Sequence, residues 1–518
     1  MSSADPGRTA STPATPFAAS GPFAAPTPAT ASTPAEVDRA VRAADAARPA
    51  LADRPRRAAL LRTAAALLAA AQDEIIATAD AETGLGAPRL GGELTRTHDQ
   101  LLAFAEHAES GALLDATIDH ADPAARPAPR PDLRRIRVPL GVVAVFTAGN
   151  FPLAFGVPGG DTASALAAGC PVVLKAHPGH PATGDLCARL LRLAAARTGL
   201  PEGVVGVVHG LDAGRTLVEH PLTAAVGFTG SLRGGRALHD LAAARPRPIP
   251  FHGELGSLNP VLVTEAAAAA RGPELGAGLA ASFTLGLGQL CTKPGLVLVP
   301  EGPAGDTVVA AAAVAADGVP AGRLLDGRID SSFRSAVRAM SELPEVETVS
   351  ADVVDLAAPD AVRPRLLAVP AARLATGDSH RALLEECFGP LVVLARYRTP
   401  AEAAAVLARI PGSLTATVHL AEDERGTGAA ELIERLTALA GRVVVDGWPT
   451  GVAVTAAMHH GGPYPAATTA ATSVGTAAAE RWLRPVVYQN TPQALLPPEL
   501  RDDNPLGVPR RVNGRAQL

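Results

Sequence analysis

Aromatic residues are scarce: 3% of a 518-residue chain, with two Trp and three Tyr. A core without aromatic bulk must be assembled from Val, Leu and Ala. Cysteine is rarer still. Cys170, Cys187, Cys291 and Cys387 include no C-x-x-C pair, which argues against a zinc ribbon or a disulfide scaffold and fits a reducing cytoplasm. There is no basic excess, since the formal net charge is -5, so neither nucleic acid nor an anionic membrane is an expected partner. No apolar run reaches the length of a bilayer span. The amino terminus lacks the charged start and apolar middle of a signal peptide, so a cytoplasmic location is expected. A Gly-x-Gly-x-x-Gly fingerprint is also missing.

What is present reads as α/β. Residues 1–34 are low-complexity Ala, Pro, Ser and Thr, expected to be a disordered tail. Thr33-Pro34-Ala35-Glu36 then reads as a helix cap, and Leu60, Leu61, Ala64, Leu67 and Leu68 share one helical face. Short apolar runs at 141–146, 171–174, 203–208 and 224–228 alternate with helical patterns, as in a parallel sheet covered on both faces. A second set of strands lies near 260–263, 295–299, 391–397, 414–419 and 441–445. The chemistry centres on Gly288-Gln289-Leu290-Cys291-Thr292-Lys293-Pro294-Gly295. A thiol delivered into a loop after glycine-punctuated apolar chain is either a nucleophile or a buried structural cysteine.

Other stretches decide between these. Thr147-Ala148-Gly149-Asn150-Phe151-Pro152, Val173-Leu174-Lys175, Phe228-Thr229-Gly230-Ser231, Glu254-Leu255-Gly256-Ser257-Leu258-Asn259-Pro260, the Cys291 loop and Glu385-Glu386-Cys387-Phe388-Gly389-Pro390 resemble the motifs of aldehyde dehydrogenases, in family order. The resemblance covers roughly residues 35–490. It implies two parallel-sheet α/β domains plus a small β oligomerisation arm. The cofactor domain would hold 35–122 and 142–253, and the catalytic domain 254–480. The arm would pair residues of 123–141 with 481–490 of a neighbouring subunit in a homodimer or homotetramer. Residues 491–518 would be a tail. Cys291 is implied as the nucleophile that forms a thiohemiacetal and then a thioester. Asn150 is implied as an oxyanion donor and Glu254 as the base that activates water.

The cofactor would be held by Lys175, His177, His180, Phe228, Thr229, Gly230, Ser231, Leu255, Glu386 and Phe388. The acid that many NAD-preferring members carry three residues after the lysine is absent: Lys175 is followed by Ala176, His177, Pro178, Gly179 and His180. Basic groups there tolerate a 2'-phosphate, so NADP is expected to be preferred and NAD possible as a substitute. Lys175-Ala176-His177-Pro178, Gly451-Val452, His460-Gly461-Gly462-Pro463-Tyr464-Pro465 and Thr472-Ser473-Val474-Gly475 resemble the branch acting on 2,5-dioxopentanoate, a pattern shared with NADP-dependent fatty-aldehyde enzymes. Arg96 is the candidate receiver of a substrate carboxylate, with Phe155, Phe283 and Tyr464 as further substrate residues. No metal is expected, because adjacent His459 and His460 point apart and no third ligand is spaced to join them. A coenzyme A-acylating enzyme is the nearest rival, and Glu254 argues against it. A non-catalytic protein that kept the fold would have no need of Cys291, Glu254, Asn150 and Glu386 together.

Overall fold

A computed structural model of the chain describes residues 29–351, 360–426 and 429–517. The low-complexity residues 1–28 lie outside them. Order begins earlier than the composition suggests: Ser32 N–H donates to His209 O, His209 N–H donates to Ser32 Oγ, and Thr33 caps the first helix in a reciprocal box with Glu36. Four helices open the chain, α1 (Pro34–Ala47), α2 (Arg54–Ala70), α3 (Gln72–Thr83) and α4 (Ala87–Ser110).

Three sheets follow. Strands β1 (Ala116–Asp119) and β2 (Leu133–Pro139) belong to the arm. The cofactor-domain sheet is parallel: β3 (Val142–Phe146), β4 (Val172–Lys175), β5 (Val205–Val208), β6 (Thr223–Thr229) and β7 (Phe251–Glu254), in spatial order β5-β4-β3-β6-β7. Between them run α5 (Gly160–Ala168), α6 (Pro181–Arg197), α7 (Leu211–Glu219) and α8 (Leu232–Ala244). Every residue of β3 is buried, and alternate side chains enter different cores: Val143 and Val145 on one face, Val142, Ala144 and Phe146 on the other.

The catalytic-domain sheet holds β8 (Val261–Val263), β9 (Leu296–Pro300), β10 (Glu347–Thr348), β11 (Arg365–Pro370), β12 (Leu391–Tyr397), β13 (Ser413–His419) and β14 (Ala440–Val445). Its order is β10-β11-β12-β9-β8-β13-β14, parallel except for β10. Leu296 and Leu298 fill one face, Val297 and Val299 the other. Helix α9 (Glu265–Thr284) leads from β8 towards the cysteine loop.

The arm corrects three expectations. β15 (Leu483–Gln489) pairs antiparallel with β2 of the same chain, from Leu483↔Pro139 to Gln489↔Leu133, rather than with a neighbour. The cause is an anchor just before it. Trp482 is fully buried, its indole N–H donates to Ser164 Oγ at 2.8 Å, and its carbonyl accepts from Leu140 N–H at 2.9 Å. Residues 476–482 thus rejoin the first domain's core. Nor is 491–518 a loose tail. β16 (Arg510–Val512) pairs parallel with β1 and antiparallel with β17 (Arg515–Gln517), while Leu496 and Leu500 pack on Ile118 and Ile136. β1, assigned by sequence to the cofactor domain, therefore sits in the arm sheet.

Candidate active site

The parallel strands aim their carboxyl ends at one cleft, the usual ligand position of such sheets. Lys175 ends β4, Asn150 follows β3 and Glu254 ends β7. From the catalytic domain, α9 unwinds through Gly286, Leu287 and Gly288, all left-handed, and delivers Cys291 before β9 resumes.

Three reactive groups meet there. Cys291 Sγ lies 3.5 Å from His460 Nε2, and the same nitrogen lies 2.9 Å from Glu254 Oε1. The Ser473 hydroxyl donates to Glu254 Oε2 at 2.8 Å. Burial pushes the Glu254 carboxyl up, but His460, Ser473 and Cys291 together hold it below the usual range. Burial, then the Glu254 and Glu386 carboxylates, push the Cys291 thiol well up, with Arg96 opposing. The resting sulfur is therefore a thiol, and a base must take its proton as it attacks. Sequence reasoning quoted His460 inside a branch motif and weighed it, with His459, as a metal ligand, but did not place it beside Cys291. No local spacing reveals it, because it comes from a loop 169 residues away.

The argument against a metal also fails on this point. The donor atoms of Glu254, Cys291 and His460 all lie within 4.8 Å of one another, so His460 does gain a second and a third neighbour of ligating type. The hydrogen bonds among them account for the cluster without an ion.

Asn150 Nδ2 donates to Gln289 O at 2.9 Å, which puts its amide beside the cysteine loop, and Arg89 donates to Asn150 O at 2.7 Å. Asn259, fully buried and left-handed (φ 53°), donates to the carbonyls of Cys291 and Lys293 at 2.8 and 2.9 Å. Its Oδ1 accepts from Ser257 and Thr415. Buried Lys293 donates to the carbonyls of Cys387 and Leu391, at 3.0 and 2.7 Å, and so ties the nucleophile loop to the Glu386 loop. Neither role was legible beforehand.

On the cofactor side, Lys175 is 8% exposed and its ammonium makes no hydrogen bond among the described residues. Burial, reinforced by Arg328, lowers its ammonium to about 8. The Glu386 carboxylate lies over Gly256, where a Cβ would come within 2.6 Å of Oε2. Burial raises Glu386 to about 7, against the pull of Lys293. A lone ammonium and a carboxylate over bare backbone fit the hydroxyls of a dinucleotide's riboses. Phe388 is half-buried beside that carboxylate in sequence. Phe228 packs between Phe146 and Phe251 at 6.0 Å from each, below a turn where Thr229 is half-buried and Gly230 and Ser231 are exposed. Ser231 caps α8 by accepting from Gly234 N–H. Leu255 is buried, its N–H donating to Ala466 O.

Four expected contacts need correcting. His180 is 2% exposed, its Nε2 lies 2.9 Å from Ala148 O, and burial lowers its pKa, so it braces the β3 loop rather than meeting a phosphate. His177 stacks on it at 5.2 Å and accepts from Gly179 N–H; burial, then His180, Lys175 and Arg328, hold it neutral. Phe283 is fully buried in the catalytic core, so it cannot touch substrate. Tyr464 is 56% exposed beside Arg236, an outward position. Arg96 and Phe155 do reach the centre. The Arg96 guanidinium sits 5.5 Å from the Phe155 ring, which lies 6.5 Å from that of His460.

The family model "Aldehyde dehydrogenase family" matches residues 26–464. Alpha-ketoglutaric semialdehyde dehydrogenase 2 of Azospirillum brasilense is 46% identical over 453 residues, 87% of this chain and 85% of that protein. Alpha-ketoglutaric semialdehyde dehydrogenase of Acinetobacter baylyi is 44% identical, covering 84% and 82%. A mutant of aldehyde dehydrogenase C from Pseudomonas syringae, solved with NAD+ and octanal, shares the fold: TM-score 0.73 at 23% identity, over 89% of this chain and 90% of that one. The chain belongs to the aldehyde dehydrogenase family and is an oxidoreductase acting on aldehydes.

Proposed function

We propose that the enzyme oxidises 2,5-dioxopentanoate to 2-oxoglutarate, with NADP preferred over NAD. The two relatives named for that semialdehyde support the reading. One observation in this chain carries it. Arg96 Nε and Nη2 are buried without hydrogen-bond partners, and the guanidinium is coupled electrostatically to Cys291, Glu93 and Glu254. A buried unpaired guanidinium costs stability unless an anion arrives, and a substrate carboxylate is that anion.

In this reading Cys291 Sγ attacks the aldehyde carbon as its proton passes to the Glu254 carboxylate, which His460 Nε2–H and the Ser473 hydroxyl hold in place. The Asn150 amide and the Cys291 backbone N–H receive the oxyanion, each donor worth about 3 kcal/mol. A nicotinamide dinucleotide, when bound to Lys175 and Glu386, supplies the hydride acceptor that turns the thiohemiacetal into a thioester. Once the thiol proton has passed to solvent, Glu254 takes a proton from water as it attacks the acyl carbon, and the acid leaves. Sequence reasoning missed Arg328, which acts on both Lys175 and His177. A site with two cations, of which Arg328 is paired only at 3.6 Å with Asp326, favours the extra phosphate of NADP.

A homodimer or homotetramer belongs to the same reading. β15 and β14 are both outer strands of their sheets, and Val487 on β15 is 54% exposed. Such edges are commonly covered by a partner. A cytoplasmic site is consistent with four free cysteines; no helix among the described residues is long and apolar enough to cross a membrane.

The test is an aldehyde panel assayed with both dinucleotides. Arg96→Met is expected to raise KM for the carboxylated semialdehyde about 10- to 100-fold, the worth of a charge-assisted contact, and to spare octanal. Equal loss on both substrates overturns the assignment and favours the broad-specificity alternative.

A further inference from the structure

A second cavity, of about 560 Å³, is lined by none of the catalytic groups. It lies between the first turn of α2, the end of α4, arm strands β2 and β15, and the 497–499 segment. Its walls are rich in arginine. Most of these cations are spoken for. Arg48 pairs with Asp45 at 2.9 Å, Arg54 donates to Glu109 O at 3.2 Å, and Arg137 bridges to Glu480 at 2.9 Å.

Arg57 is different. It is 6% exposed, its Nε is buried without a partner, and its guanidinium makes no hydrogen bond or ion pair among the described residues. Burial, then the neighbouring Arg54, lowers it to about 10, while Cys170, Asp53 and Glu499 pull weakly the other way. Room for it is made by Gly169, where a Cβ would lie 2.3 Å from Arg57 Nη1. Arg54 and Arg57 also occupy the first turn of α2, the end at which the helix dipole disfavours cations and favours anions. On the open side stands Arg484 of β15, exposed and likewise unpaired among the described residues. Of the acids lining the cavity, Asp45 is taken by Arg48 and Glu499 forms no hydrogen bond to Arg57.

We propose that this cavity binds a multiply charged oxyanion of the phosphate class, with Arg57 as its principal ligand and Arg54 and Arg484 beside it. The ligand completes the coordination of a cation that the fold buries and leaves bare. It would also join the cofactor domain to the arm, since α2 and β15 supply opposite walls.

The test titrates the full-length enzyme with pyrophosphate and with inorganic phosphate at constant ionic strength. NADP is kept saturating, so that the dinucleotide site is filled. One saturable event per chain is expected, tighter for pyrophosphate. Arg57→Met should weaken it at least tenfold, and the surface change Arg484→Ala several-fold, with aldehyde oxidation unchanged in both. Melting adds a sign reversal. Without the anion, Arg57→Met should melt above the wild type, because an unpaired buried charge is gone; with pyrophosphate the order should invert. A flat titration, equal binding by Arg57→Met, or an Arg57→Met protein less stable without anion overturns the proposal. So does a titration that splits the oligomer, which would give the cavity to a carboxylate of a second copy.

Discussion

On the nucleophile side of the cleft, polar groups are already engaged. Both oxygens of Glu254 have donors, the Asn150 amide has an acceptor, and Asn259 holds two carbonyls of the cysteine loop. On the ligand side, Arg96 and Lys175 are cations with empty hydrogen-bonding capacity. The difference separates two tasks. Groups fixed in advance need no reorganisation when charge develops, so they should govern turnover. Groups left bare lose that cost only when a ligand arrives, so they should govern binding.

The largest break in this contrast should come from the sulfur. Cys291→Ala is expected to lower kcat about 10⁴-fold or more with dinucleotide binding intact, read by reduced-cofactor absorbance and by titration. Next, Glu254→Gln should cut both the burst of reduced cofactor and steady-state turnover by about 10²- to 10⁴-fold, because thiol deprotonation and thioester hydrolysis both need that base. His460→Asn should slow the burst and alkylation of the thiol less than Glu254→Gln does, because the imidazole positions that carboxylate; a loss equal to that of Glu254→Gln would put His460 in the proton path. Asn150→Ala should cost about 10²- to 10³-fold in kcat with little change in KM. On the ligand side, Lys175→Met should raise the dinucleotide KM about tenfold while sparing kcat. A kcat effect there would erase the contrast.

The smallest effect is in pH. Glu386 is raised to about 7 by burial. Ribose hydroxyls donate best to the ionised form, so dinucleotide binding should tighten as pH rises through about 7. Between pH 6 and 7, below the point near 8 at which the Lys175 ammonium loses its proton, the dissociation constant should fall about fivefold, measured by quenching of protein fluorescence, and Glu386→Gln should flatten the profile.

Much of this was written locally in the chain. The buried strands of the cofactor sheet announce themselves as apolar runs such as Val142–Phe146, and Cys291, Glu254 and Lys175 sit in stretches whose residue types are explicit. What stayed hidden depends on long-range meeting. His460 is one histidine in a glycine-rich loop until folding sets it against the sulfur. β16 and β17 are three residues each, the first partly exposed and the second fully so, and their pairing starts from β1 rather than from an apolar signal. Phe283 misled because helical spacing cannot say which side of α9 faces the cleft and which the core.

Lys293 carries a lesson for anyone redesigning this enzyme. Its ammonium fastens the backbone at Cys387 and Leu391 from two residues beyond the sulfur. Grip on the dinucleotide and aim of the thiol are in that way mechanically geared together. Libraries that vary the Glu386 loop to change cofactor choice should therefore be screened for displaced sulfur as well as for affinity, and compensating changes sought within the Thr292–Gly295 turn.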